Sequence, residues 1–202
     1  MTKEGFVEGP SSLVRATRTP GTQGQPMGEI LSEQAHIRAI ERYELPALLD
    51  LYRHLRDADA PLPADDVLWQ VWEEILQDPK MRVLVADLDG SLVASCTLAV
   101  IPNLTRGARP YGLVENVVTH SAHRRQGIGT RLLRRALQIA WEWNCYKVML
   151  LTGSKSEGTL QFYEQAGFRK GTKTGFIAMP EKTECVTDPA TRDTQYERTP
   201  CD

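Results

Sequence analysis

Apolar residues recur at three- and four-residue intervals from Leu45 onward, with Leu45, Leu48, Leu49, Tyr52 and Leu55 falling on one side of a helix expected over 43–56. Residues 57–63, rich in Asp and Pro, break it. A second helical pattern carries Leu68, Trp69, Trp72, Ile75 and Leu76 on its inner side, with Asp65 placed to cap its start and Asp78-Pro79 to end it. Residues 36–40 suit a short first strand. Two β-rich runs, 81–86 and 91–100, are joined by Asp87-Leu88-Asp89-Gly90, whose Asp-Gly pair signals an antiparallel hairpin. Residues 112–118 form another apolar run, interrupted by Glu115-Asn116, and 145–151 form a dense one around Lys147 that suits a buried central strand. Phe168 begins a further strand, and 175–179 can supply the last.

The longest helical pattern follows the 112–118 run. Ile128, Leu132, Leu133, Ala136, Leu137 and Ala140 occupy one face, and Arg131, Arg134, Arg135, Gln138 and Glu142 the other. It is preceded by the turn Arg124-Arg125-Gln126-Gly127-Ile128-Gly129. The first turn of a helix leaves about four backbone N–H groups unpaired and carries the positive end of the macrodipole, so it receives phosphate well. Gly127 and Gly129 take away side chains that would keep an anion at a distance, and the two arginines add charge that can reach phosphate oxygens. The same residues also suit a plain cap on a solvated helix. A Walker loop is absent, and a dinucleotide fingerprint needs a third glycine where Leu132 stands. Downstream, the helical segment 157–166 runs into Gly167, a residue suited to a left-handed helix stop.

Composition narrows the picture. The formal net charge of -2 over 202 residues argues against wholesale nucleic-acid binding. Cys96, Cys145, Cys185 and Cys201 show no C-x-x-C spacing, which disfavours a zinc site and suits a reduced, cytoplasmic chain. No apolar run approaches the roughly 20 residues needed to cross a bilayer. Residues 1–34 and 181–202 are rich in Gly, Pro, Thr, Ser and Gln or in Thr, Glu and Asp without hydrophobic periodicity. They are expected to be a disordered leader and tail around one folded domain at 35–180.

Arg124-x-x-Gly127-x-Gly129 after a strand, with Phe162-Tyr163-Glu164-x-x-Gly167-Phe168 downstream, resembles the GCN5-related N-acetyltransferase (GNAT) family over about 36–180. The resemblance implies an α/β (α+β) fold with a mixed, mostly antiparallel sheet of about six to seven strands and flanking helices. It also implies acetyl-CoA as co-substrate, no metal, and an N-acetyltransferase activity. Carried over by position, the backbone of Val117, Val118 and Thr119 would hold the pantetheine arm and the thioester carbonyl. Arg124, Arg125, Gln126, Gly127, Ile128, Gly129 and Thr130 would hold the pyrophosphate. Thr159 stands where many members place an asparagine that touches the pantetheine. Tyr163 matches the family tyrosine that protonates the departing thiolate, and from the letters alone it is equally an aromatic packed between helix and sheet. Glu115 is the candidate base or a structural carboxylate, and His120 a lesser candidate or a capping group.

Val114-Glu115-Asn116-Val117-Val118 and Asn144-Cys145-Tyr146-Lys147 are similar to segments of glucosamine-6-phosphate N-acetyltransferases. Those enzymes carry an acidic pair before Val-Val and a carboxylate after the Cys-Tyr-Lys strand, where this chain has Asn116 and Leu151. The expected reaction is direct attack of a small-molecule primary amine on the thioester. A peptide amine and a silent acyl-CoA-binding module are the alternatives. His54, Arg56, Arg106, Tyr111 and Glu115 are candidate acceptor contacts, and the four tryptophans are expected to be packing groups. In this family dimers form through the last strands, and the apolar segment 176–179 suits either a homodimer or closure of one chain's own sheet.

Overall fold

The computed structural model describes residues 34–55 and 60–180. Its centre is a five-stranded sheet in the order β1-β2-β3-β4-β5. The strands are β1 (His36–Ala39), β2 (Met81–Leu88), β3 (Ser91–Ile101), β4 (Tyr111–Thr119) and β5 (Val148–Met149). Helices α1 (Leu45–Tyr52) and α2 (Asp65–Gln77) precede the hairpin of β2 and β3, α3 (Ile128–Glu142) connects β4 to β5, and α4 (Glu157–Ala166) follows. The first four strands pair antiparallel, and β4 pairs with β5 in parallel, the arrangement that a crossover helix such as α3 makes possible. The expected mixed, mostly antiparallel sheet is what forms.

Four local expectations change. The first helix is shorter than 43–56: a 3-10 turn at Arg42–Glu44 leads into α1, with Pro46 in its first turn, where a missing N–H does no harm. Ala64, not Asp65, takes the cap position of α2, and Asp65 and Asp66 sit in its first turn, where their charge complements the helix dipole. Residues 145–151 are not a buried central strand. Only Val148–Met149 pair, because the chain diverges from β4 immediately afterwards, and Leu151 is 53% exposed. Finally, the sheet has five strands rather than six to seven. Neither Phe168 nor 175–179 joins a ladder among the described residues, and Phe176, Ile177 and Met179 are 90%, 73% and 71% exposed. An apolar sequence becomes a strand only beside a partner edge.

The sheet buries both faces. Leu84, Ala86, Ala94, Cys96 and Leu98 point to α3 and pack with Ile128, Leu132, Leu133, Ala136 and Ala140. On the other face Val83 and Val85 pack with Leu45, Leu48 and Trp72 from α1 and α2. Register places Ser95 opposite Val85 and Thr97 opposite Val83, so these two buried polar residues lie in the α1 layer. An ion-pair cluster ties the first elements together: Arg38 reaches Glu44 at 2.6 Å and Asp87 at 2.7 Å.

Candidate active site

Two departures from regular pairing shape β4. Toward β5 it is paired only at Gly112 with Val148 and Leu113 with Met149, so residues 114–119 have no strand beside them on that edge among the described residues. Their backbone donors and acceptors face an opening between the diverging strands, the kind of edge that an extended amide-bearing chain completes. Toward β3 the register slips: Ser95 pairs with Val118 but Thr97 with Glu115, which leaves Asn116 and Val117 opposite Cys96. This is a β-bulge, and Asn116 occupies its left-handed position with φ 52°. The bulge re-aims the backbone of β4 just before Val117, Val118 and Thr119. In the sequence it showed only as a polar interruption.

At the end of β4, His120 caps the 3-10 turn Ser121–His123, its Nδ1 accepting the Ala122 N–H at 3.2 Å. The capping alternative for His120 is therefore realised. The chain then reverses through Arg125 (φ 60°) and Gly127 (φ 80°), the latter in the cap position of α3. A side chain at the exposed Gly127 would have to hold that left-handed conformation, so glycine suits it. Gly129 has a packing role that the sequence does not show. It is buried, and a Cβ there would lie 2.9 Å from Thr119 Oγ1 and 3.1 Å from Phe162 Cε2. The missing side chain lets α3 close onto β4 and α4. The N–H groups of Ile128, Gly129 and Thr130 form the first turn, where a helix offers no internal acceptor. Ile128 itself is 1% exposed, so only its backbone is available to a ligand.

The charged residues of the turn divide their work. Arg124 donates from Nε to the Thr119 carbonyl at 3.1 Å and from Nη2 to the His54 carbonyl at 2.9 Å, fastening the turn to the ends of β4 and α1. Arg125 stays exposed. Gln126 donates to the Ala122 carbonyl at 3.1 Å, and its buried Oε1 has no partner. The open edge of β4, the exposed Arg125 and the free first turn of α3 follow one another along the chain. That donor set fits a ligand with an extended amide arm ending in a pyrophosphate.

Tyr163 and Thr159 stand one turn apart on α4. The Tyr163 ring is half-buried beside Phe162 at 4.9 Å and Phe168 at 6.4 Å. Burial pushes its phenol above the ordinary value, the adjacent Thr152 hydroxyl opposes that rise, and the charge of Glu115 adds to it. The groups that act on this phenol lie on β4, where Glu115 is exposed, and in the loop after β5, where Thr152 stands. Thr152 was not foreseen, because its loop carries no periodic signal.

Behind the bulge, burial raises the pKa of the Tyr52 phenol at the end of α1, and the nearby Thr97, Ser95 and Asn116 side chains pull the other way. His54 lies near His120, with ring centroids 4.1 Å apart. Arg106 and Tyr111 sit at the opposite end of β4 from Thr119, Arg106 in the turn Thr105–Ala108 and Tyr111 packed with Tyr146 and Lys147. Arg56 lies outside the described residues. Trp72 is buried with its Nε1 on the Arg42 carbonyl at 2.9 Å, Trp69 and Trp143 lie under Arg42 and Arg82, and Trp141 is half exposed. Among the described residues no group of three His, Cys, Asp or Glu could hold a metal, and no helix is long and apolar enough to cross a membrane.

This geometry has close counterparts. A glucosamine 6-phosphate N-acetyltransferase of Trypanosoma brucei brucei is 32% identical over 133 residues, covering 66% of this chain and 88% of its own length. The structure of a putative acetyltransferase from Agrobacterium tumefaciens superimposes with a TM-score of 0.67 at 42% identity, covering 72% of this chain and all but 1% of the other, given its 99% coverage. An acetyltransferase structure from Trypanosoma brucei gives 0.60 at 30% identity over 72% of this chain and 99% of the other. The sequence profile of the acetyltransferase (GNAT) family matches residues 45–168, which include the bulged strand, the turn before α3 and Tyr163. The chain belongs to the acetyltransferase (GNAT) family and is an N-acetyltransferase.

Proposed function

We propose that the chain moves the acetyl group of acetyl-CoA to a primary amine of a small molecule, by direct attack of the amine on the thioester. The observation that supports this most is the edge of β4 left unpaired beyond Leu113, followed along the chain by the free first turn of α3. In this reading the backbones of Val117, Val118 and Thr119 hold the pantetheine arm, and their N–H groups receive the charge that develops on the thioester carbonyl oxygen. Arg125 and the backbone of residues 126–130 hold the pyrophosphate. Arg124 contributes by fixing the turn rather than by free charge, given its two carbonyl partners. Thr159 lends a hydroxyl to the pantetheine. Acetyl-CoA supplies an activated acyl group, and every proton step falls to the protein.

Glu115, exposed on the strand that carries the thioester, takes the proton of the attacking amine directly or through water. Tyr163 gives its proton to the departing sulfur. Its raised pKa keeps it protonated through neutral pH, as an acid needs. The catalytic unit is 35–180. Cys96 and Cys145 are free thiols, which suits the reducing cytoplasm. The exposed Phe176, Ile177 and Met179 are the surface through which two copies would pair as a homodimer.

A small-molecule acceptor is favoured by the Trypanosoma brucei brucei relative, whose name gives a sugar phosphate amine. Asn116 and Leu151 leave the particular amine open. A turnover screen across amino sugars, polyamines, amino acids and peptides, following release of free thiol, tests the reading. We expect turnover with small primary amines. Turnover confined to peptide amines would overturn the acceptor class, and acetyl-CoA binding without thiol release would leave a silent binding module.

A further inference from the structure

Building on the acetyl-transfer reading, in which Glu115 meets the attacking amine, we propose that Lys147 selects the acceptor. It takes an anionic group that the amine carries several bonds from its nitrogen. The site lies on a part of the sheet that the first two helices do not cover. Gly112 pairs with Val148 and Leu113 with Met149, and Val114 and Val148 pack in the α3 layer. Alternation along the strands then places Tyr111, Leu113 and Glu115 on the opposite face, with Lys147 and Met149 beside them. The apolar cluster beneath α1 and α2 draws its strand residues from Val83 and Val85 on β2 and Leu92 on β3, and none of its members lies on β4 or β5. Tyr111, Leu113, Lys147 and Met149 are half-buried and Glu115 is exposed. Together they form a shelf with the proposed base at one end and a cation at the other.

The cation is held in place without being neutralised. The Lys147 ammonium sits 5.1 Å from the centre of the Tyr111 ring and 5.5 Å from that of Tyr146, and it donates to Met149 Sδ at 3.0 Å. The two rings meet edge to face with centroids 6.3 Å apart. Ring faces and a thioether fix the position of an ammonium, but they leave its charge uncompensated and most of its three donors free. No ion pair among the described residues includes Lys147. At the far edge of the sheet Arg38 shows the closed alternative, completed by Glu44 and Asp87. A half-buried cation that lacks such a partner is arranged to receive an anion from outside. Lys147 lies level with the start of β4, its carbonyl accepting the Gly112 N–H at 2.9 Å. Tyr111 stands about 13 Å along the strand from Glu115. Long side chains at both ends shorten that gap, so an acceptor with its anion several bonds from its amine spans it, and an α-amino acid is too short.

A packing lysine and a selecting one predict different specificity. The test compares kcat/KM within two matched pairs of acceptors, in wild type and in Lys147→Met. One pair is glucosamine 6-phosphate against glucosamine, the other ε-aminocaproate against hexylamine, so the two distinguish a phosphate from a carboxylate. Wild type is expected to favour the charged member of at least one pair by about tenfold or more, chiefly through KM. Lys147→Met is expected to bring the members of that pair to within about twofold of each other, with acetyl-CoA affinity retained. Equal use of both members by wild type, or an undiminished preference in a folded Lys147→Met protein, would overturn the proposal. Should Lys147→Met fail to fold, the salt dependence of the wild-type preference decides. The preference should shrink as salt rises, and a flat response overturns the proposal. Turnover confined to peptide amines, or none at all, overturns the underlying acceptor reading as well. Turnover of the neutral small amines with no preference for their charged partners overturns this inference only.

Discussion

The two faces of the sheet carry the same strands but differ in what they bury. Beneath α3 the layer is apolar throughout, from Leu84 and Leu98 to Leu132 and Leu133, and even Cys96 is inert there, its thiol pushed up to about 12 by burial. Beneath α1 the layer includes Ser95, Thr97 and the phenol of Tyr52. The difference follows from how each side serves the proposed chemistry. On the α3 side the ligand is met by backbone at the start of the helix, so every inward side chain is free to be core. On the α1 side the strand carries a bulge with a left-handed residue, Asn116, and the layer beneath it keeps polar side chains. One face is a foundation and the other an adjustment.

Substitutions can break this contrast or sharpen it. Leu132→Ala on the α3 face removes a side chain of 0% exposure and should cost about 2–5 kcal/mol, read as a lower denaturation midpoint. Tyr163→Phe should leave the fold intact and lower kcat by about 10²-fold while sparing acetyl-CoA affinity. The wild-type pH–rate profile should show no falling limb from this group below about pH 10, because its pKa is raised. An unchanged rate would reduce Tyr163 to packing. Arg38→Met should cost about 1–3 kcal/mol at neutral pH, since it strips two carboxylates of their partner. Glu44 and Asp87 are both held below the ordinary carboxylate range by Arg38. Their stabilisation is therefore present above about pH 4 and is lost as the pH falls below it, and the variant should lose less on acidification. Ser95→Ala should be the mildest change, within about 1 kcal/mol, because the hydroxyl it removes has no regular bond to lose. A loss as large as that of Leu132→Ala would erase the contrast between the faces.

Much of the α3 face was legible in the sequence. The periodic Leu132, Leu133, Ala136 and Ala140 told both the helix and its buried side, and Gly167 marked the end of α4, where it takes φ 111°. What stayed hidden depended on residues far apart in the chain. The bulge at Asn116 arises from the register between two strands, and nothing in five consecutive letters reports it. Gly129 read as an anion's doorway, yet its neighbours are Thr119 and Phe162, the latter 33 positions on by subtraction of the residue numbers. Arg124 read as free charge, yet one of its carbonyl partners belongs to His54, in the turn after α1. The last strands were overread for the opposite reason: 175–179 has the composition of a strand, but composition cannot supply the neighbouring edge that makes one.

The central claim is that the turn before α3 grips the cofactor, and the most direct measurement is an acetyl-CoA titration of wild type against Gly127→Val. Gly127 is exposed and left-handed, so the change disturbs the turn while leaving the core contacts of Ile128 and Leu132 in place. The account predicts measurable wild-type affinity and a loss of about 10²-fold or more in the variant, with its folded signal retained. Equal affinity in the two proteins would contradict it.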